Sequence, residues 1–98
     1  MEAANAIADP IRRRVLELVR DEEWPAGALA AEFRVSRPAV SRHLRVLREA
    51  GLVVERREGR QRLYRANLEP LEELRGWLDD YWAGRLRTLK ALAEKEKT

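Results

Sequence analysis

Residues 36–51, SRPAVSRHLRVLREAG, read as one complete helix with two unlike faces. Ser36 is a favoured N-cap, and Pro38 sits in the first turn, where a missing N–H has no intrahelical partner to lose. At the far end Gly51 is able to take the left-handed backbone that closes many helices. At about 100° per residue, Val40, Leu44 and Leu47 share one side, flanked by Ala39 and Ala50. The opposite arc collects Arg37, Ser41, Arg42, Arg45 and Arg48, with Glu49 its only acid. A solvated helix face ordinarily mixes both signs, so an arc this cationic suits an anion. Duplex DNA fits, because a guanidinium both pairs with phosphate and forks onto the major-groove edge of guanine.

The charge of the whole chain points the same way. The net charge is only +3 over 98 residues, but residues 34–65 hold ten arginines against Glu49, Glu55 and Glu58, a local +7; the remainder, with 10 basic and 14 acidic residues, carries −4. Such segregation makes a directed field of the kind a nucleic-acid face carries. With 45% apolar and 38% charged residues the sequence reads as one small, highly charged globular domain spanning 1–98, a size at which an oligomeric partner helps. No apolar run approaches the roughly 20 residues needed to span a bilayer, and the short acidic N-terminus does not read as a signal peptide, so a cytoplasmic protein is expected. The absence of cysteine excludes disulfides, thiolate metal sites and thiol redox switching.

Working outward toward the N-terminus, residues 2–8 are alanine-rich and read as a short helix. Asp9-Pro10 then forms an N-cap and first-position pair for a second helix, with Ile11, Val15, Leu18 and Val19 as its inward stripe through Arg20. Arg12, Arg13 and Arg14 stand outside that stripe, as a solvated face balanced by Asp9 and Glu17 or as phosphate contacts. After the polar 21–23 turn, Trp24-Pro25 is expected to open a third helix, with Trp24 a packing residue ahead of it and Ala26, Leu29, Ala30 and Phe33 inward. Arg34-Val35-Ser36 makes a tight turn into the arginine-faced helix, with Val35 as a buried plug. Two short helices, a tight turn and a cationic second helix are the helix-turn-helix arrangement.

Toward the C-terminus the period changes from 3.6 to 2. Residues 52–57 and 62–66 read as strands separated by Glu58-Gly59-Arg60-Gln61, a hairpin whose tip and flanks carry Arg56, Arg57, Arg60 and Arg62. A hairpin this basic, directly after a reading helix, is expected to act as a wing. The last helix, over about 69–94, starts with Asn67 or Glu69 as cap and Pro70 in first position. Leu71, Leu74, Leu78, Trp82, Leu86, Leu89 and Ala93 recur along it at intervals of three and four. That stripe is too long for so small a core. Leu78, Tyr81, Trp82, Leu86 and Leu89 are expected to pass beyond the body and pair with a second copy. Residues 94–98 are expected to fray. The fold class expected is mostly α with a small β-hairpin wing, in the order α-α-α-α-β-β-α, dimerising through its terminal helices.

DPIRRRVLELV at 9–19, SRPAVSRHLRVLREAGLV at 36–53, EGRQRLYRA at 58–66 and the leucine- and tryptophan-bearing terminal helix together resemble the ArsR/SmtB family of winged helix-turn-helix repressors over nearly the whole chain. The resemblance implies a homodimer on a palindromic operator, with its reading helices in successive major grooves. It puts Arg37, Ser41, Arg42, His43 and Arg45 on the DNA-reading helix and Arg57, Arg60 and Arg62 on the wing. Metal-sensing members carry cysteines near the second helix, or histidines and carboxylates along the last one. This chain has WPAGAL at 24–29 instead, and Asp79, Asp80 and a lone His43 on another element fall short of a zinc site. It looks more like the metal-independent members, and no metal or other cofactor is expected.

His43 projects beside Ala39, Leu47 and Ala50 rather than among the arginines, so a hydrogen-bonded structural histidine is the first reading and a phosphate or base contact the second. No nucleophile or phosphate-binding glycine loop stands near it, and the chain is not expected to be an enzyme. Two other functions fit parts of the pattern. One is a repressor responding to a small molecule held among Trp24, Trp77, Tyr81 and Trp82. The other is a protein-binding module that works through its long helix.

Overall fold

Capping chemistry sets where most of the helices begin and end. The structure, a computed structural model, describes residues 2–96. Helix α1 (Glu2–Ala6) closes when Ala8 N turns back to Asn5 O, two residues earlier than the sequence suggests. Asp9 then caps α2 (Pro10–Leu18), its Oδ1 accepting the amides of Ile11 at 2.8 Å and Arg12 at 3.2 Å. The expected stripe ran on through Arg20, but the helix ends at Leu18, because the carbonyl of buried Val19 accepts the amide of Ala66.

The largest correction falls on Trp24-Pro25. These residues do not open a helix; they form β1 (Trp24–Pro25), antiparallel to β3 with Trp24 opposite Tyr64 and Pro25 opposite Leu63. A residue preceding proline is pushed out of the helical region, and proline, lacking an N–H, is confined to sheet edges. Both conditions are met here, since the strand order is β1-β3-β2 and Pro25 has φ −64° and ψ 146°. The hairpin is therefore part of a three-stranded sheet. Helix α3 (Ala26–Ala31) follows without a side-chain cap.

Between α3 and α4 (Arg37–Glu49) the chain needs residues 32–36, a longer turn than expected. Phe33 packs on the core, and Val35, read as a buried plug, is 39% exposed. The inward place in this turn is already taken two residues earlier. Ser36 caps α4 as expected, Oγ accepting Ala39 N at 3.3 Å. At the other end Leu52 N reaches Leu47 O and Gly51 N reaches Arg48 O, both at 2.9 Å, with Gly51 at φ +74°. This paired closure carries its hydrophobic contact, Leu47 against Leu52, both fully buried. Gly51→Ala is expected to lower stability by about 1 to 2 kcal/mol, the cost of a left-handed non-glycine residue. Crowding is not the cause, because an added Cβ would meet Pro70 Cγ at an ordinary 3.7 Å. A thermal midpoint lowered by roughly 5 to 15 °C checks this, and an unchanged one refutes it.

Strands β2 (Val53–Glu58) and β3 (Gln61–Ala66) join through Gly59-Arg60, a shorter connection than the four residues read from sequence. Gly59 has φ +59° and Arg60 is not left-handed, the pattern of a type II′ hairpin turn. The core lies where α2, α3 and α4 meet the sheet, around Val15, Val19, Leu29, Val40, Leu47 and Leu52.

Helix α5 (Glu69–Glu96) then leaves that body. Asn67 Oδ1 accepts Glu69 N at 3.4 Å, and Pro70 is the second helical residue rather than the first. The helix holds through Glu94, Lys95 and Glu96, which were expected to fray; Lys97 and Thr98 lie outside the described residues. Twenty-eight residues of helix span about 42 Å. Leu74 is its one buried residue among those described. The extents of 70 × 25 × 20 Å and the radius of gyration of 18.7 Å, against about 13 Å for a compact chain of this length, describe a body with a projecting arm.

Candidate nucleic-acid interface

Because Val40, Leu44 and Leu47 anchor α4 inward, the rotation of the helix leaves Arg37, Ser41, Arg42 and Arg45 exposed on its outer side. The wing lies beside it. One groove is lined by Arg37, Ser41, Arg42, Arg45 and Arg48 from α4 and by Arg62 and Tyr64 from β3. The adjoining hollow joins Arg37 to Arg60 and Arg62 against the start of α3. The cations of helix and wing thus form one surface. Arg37 Nη2 would lie 3.6 Å from a Cβ at Gly27, so its guanidinium rests against the start of α3.

The arginines of α4 and the wing differ in freedom. Arg37, Arg42, Arg57 and Arg60 have no ion pair among the described residues. Arg45 stands 3.7 Å from Glu49 with both side chains 68% exposed, an ion pair that a polyanion readily replaces. Arg62 Nε lies 3.6 Å from Glu55 Oε1. Two arginines are held more tightly. Arg48 Nη1 donates to Glu55 Oε2 at 2.7 Å, and Arg56 grips Glu23 through two bonds at 2.8 and 2.9 Å while also reaching Glu58 at 3.2 Å.

The protonation equilibria follow these contacts. The hydrogen bond from Arg48 holds the Glu55 carboxyl below the usual range against the opposing effect of burial, and the Arg56 bond does the same for Glu23. Burial is the largest influence on Asp9 and would raise it, but the amides of Arg12 and Ile11 outweigh it and leave that carboxyl lowered. Burial pushes the Tyr64 hydroxyl up, with Glu55 adding to the effect.

His43 does not join the arginines. Its side chain is 19% exposed, and Nδ1 sits 3.1 Å from Arg12 Nη1 and 3.9 Å from Asp9 Oδ1. A guanidinium only donates, so Nδ1 is the acceptor of this contact. Arg12 also donates to Ala6 O at 2.6 Å and Asn5 O at 3.2 Å, and Arg13 to Ile7 O at 2.8 Å. These two arginines therefore close the end of α1 instead of forming a free cationic face, while Arg14 pairs with Glu17 at 3.0 Å.

On α5 the residues expected at a dimer interface are all open: Leu78 41%, Tyr81 50%, Trp82 54%, Leu86 61% and Leu89 52% exposed. Trp77 stacks on Tyr81 with centroids 5.6 Å apart, and Tyr81 meets Trp82 edge-on. Trp24 is not in ring contact with them; it packs on the core from β1, so the four aromatics do not come together as one pocket wall. No group of three or more His, Asp or Glu side chains among the described residues is placed to hold a metal ion, and none of the described helices is long and apolar enough to cross a membrane. Glu55 was missed from sequence. The one available signal was an acid inside an otherwise arginine-rich hairpin.

Residues 7–56 match the helix-turn-helix domain family. The chain is 39% identical over 94 residues to the HTH-type transcriptional regulator Rv2034 of Mycobacterium tuberculosis, covering 96% of this chain and 88% of that one. It is 34% identical over 73 residues to the transcriptional repressor SdpR of Bacillus subtilis, covering 74% and 81%. Among solved structures, a possible transcriptional regulator for arsenical resistance superposes with a TM-score of 0.76 at 43% identity, over 93% of this chain and 95% of the other. An ArsR-like transcriptional regulator from Rhodococcus sp. RHA1 gives 0.81 at 31% identity, over 96% and 89%.

Proposed function

The chain belongs to the ArsR/SmtB family of winged helix-turn-helix transcriptional regulators, DNA-binding proteins rather than enzymes, and from that premise we propose that it represses transcription in the cytoplasm as a homodimer on a palindromic operator. The observation that carries this reading is the continuous cationic surface of α4 and the wing, in which Arg37, Arg42 and Arg60 have no ion pair among the described residues, nor has Arg57 opposite Arg62 in the hairpin. Arg37, Ser41, Arg42 and Arg45 enter the major groove, where a guanidinium forked onto guanine contributes about 1 to 3 kcal/mol of discrimination. Arg57, Arg60 and Arg62 hold the flanking backbone or minor groove. His43, the eighth residue of this set, sets the tilt of the reading helix through Arg12 and contributes to DNA contact indirectly.

Residues 69–94 act as the dimerisation arm. An exposed apolar face this long is rare on a monomer, and a second copy covers it with the same residues by two-fold symmetry. That symmetry puts two reading helices about one duplex turn apart. Selecting bound fragments from random duplex DNA tests the reading directly. Enrichment of inverted half-sites spaced by about 10 base pairs is expected; no enrichment, or a single half-site, overturns it. Leu78→Glu with Leu86→Glu is expected to give a folded monomer by light scattering that binds the selected fragment at least about a hundredfold more weakly, since one of two half-site contacts is lost. A variant that remains dimeric places the interface elsewhere.

A further inference from the structure

Glu55 occupies an unexpected place for an acid. It lies in β2 directly opposite Tyr64, and its partners Arg48, Arg62 and Tyr64 line the groove between α4 and the wing, whose charged lining residues are all arginines. Its side chain is only 20% exposed and is held on three sides. Oε2 accepts from Arg48 Nη1 at 2.7 Å and from the Tyr64 hydroxyl at 3.3 Å, and Oε1 faces Arg62 Nε at 3.6 Å. Arg48 comes from the last turn of α4, and Tyr64 and Arg62 both come from β3. One carboxylate on β2 therefore ties the reading helix to the hairpin beside the cationic groove.

A negative charge there opposes phosphate binding, so its contribution to the interface is not attraction. Specificity is a difference of affinities, and a group that weakens every complex while holding the contact surface in one shape raises that difference. Resting on the DNA-binding reading above, we propose that Glu55 is the positioning residue of the interface. It keeps Arg48 off phosphate and fixes the wing against the reading helix, which lowers binding to arbitrary duplex more than binding to the operator.

The test is a double-mutant cycle on the full chain, with affinity for the selected duplex and for a scrambled duplex measured across a salt series. Glu55→Gln keeps a group able to bond Arg48 and Tyr64 but removes the charge. It is expected to steepen the log–log salt slope by about 0.9 per protomer, as Arg48 becomes free to neutralise a phosphate. The ratio of operator to scrambled affinity is expected to fall about tenfold. Arg48→Gln alone is expected to leave the slope within about 0.3 of wild type, and adding it to Glu55→Gln to restore the wild-type slope. A purely structural role for Glu55 would lower the melting temperature without steepening the slope.

The proposal is overturned if Glu55→Gln leaves slope and ratio unchanged, or if Arg48→Gln alone reduces the slope by about 0.9. The second arm stands by itself should Glu55→Gln fail to fold. A wild-type chain that selects no duplex overturns the DNA reading and this inference with it, whereas normal selection with an indifferent Glu55→Gln removes only the role of Glu55.

Discussion

Arg42→Ala combined with Arg45→Ala is expected to abolish operator binding while leaving the protein folded and its oligomeric state unchanged. Each side chain that reads a base or pins a phosphate contributes about 1 to 3 kcal/mol, and a dimer loses four of them, so even the low end amounts to a weakening of roughly a thousandfold. Stability is nearly unaffected because both residues are exposed and the one ion pair removed among the described residues is the loose Arg45–Glu49 pair. The thermal midpoint should stay within about 4 °C of wild type. Gel shift and light scattering on one preparation check both halves. Retained binding would mean that the cationic arc of α4 is only a solvated surface and that the chain works through α5 as a protein-binding module.

The other large effect is that of salt. If the dimer neutralises on the order of six to ten phosphates, affinity for the operator falls by roughly 10³ to 10⁵ between 50 and 200 mM monovalent salt. The structure supplies the cations for this. Among the described residues Arg37, Arg42, Arg57 and Arg60 have no ion pair to release before meeting a phosphate, and Arg45 has the exposed Glu49. Arg48 and Arg56 are not counted, because Glu55 and Glu23 already hold them at 2.7 and 2.8 Å. Fluorescence anisotropy across a salt series gives the slope. A flat response would show that guanidinium groups do not meet the backbone and would remove the electrostatic basis of the function.

The distinction between free and engaged arginines is where the sequence is least informative. Ten arginines between 34 and 65 are visible in the sequence, and the placement of four of them, Arg37, Arg42, Arg45 and Arg48, on one arc of α4 follows from helical rotation alone. Which of them carries an internal partner does not, because Arg48 and Glu55 are brought together by the Gly51 closure and the pairing of β2 with β3, and Arg56 and Glu23 lie 33 positions apart. His43 is similar: rotation places it away from the arginines, but its partner Arg12 lies 31 positions upstream.

Strand β1 was missed for a related reason. Two residues are too few to display a period, and Trp24 and Pro25 become a strand only because β3 offers them a sheet edge. Val35 was misplaced because an apolar residue in a turn has no periodicity to say which way it points, and Phe33 fills the space first.

Sequence by itself determined the elements whose forces act over one or two turns of chain: the Asp9 and Ser36 caps, the glycine closure at Gly51, the hairpin over Gly59, and the leucine stripe of α5 that outruns its own core. Tertiary structure alone decided the sheet edge at Trp24-Pro25, the outward Val35, the hold of Arg12 on His43 and the Glu55 tie across the groove. Caps, turns and periodic stripes depend on backbone geometry within a few residues. A hydrogen bond or ion pair between distant segments exists only once packing has set their separation to within about an ångström, and no local pattern encodes that distance.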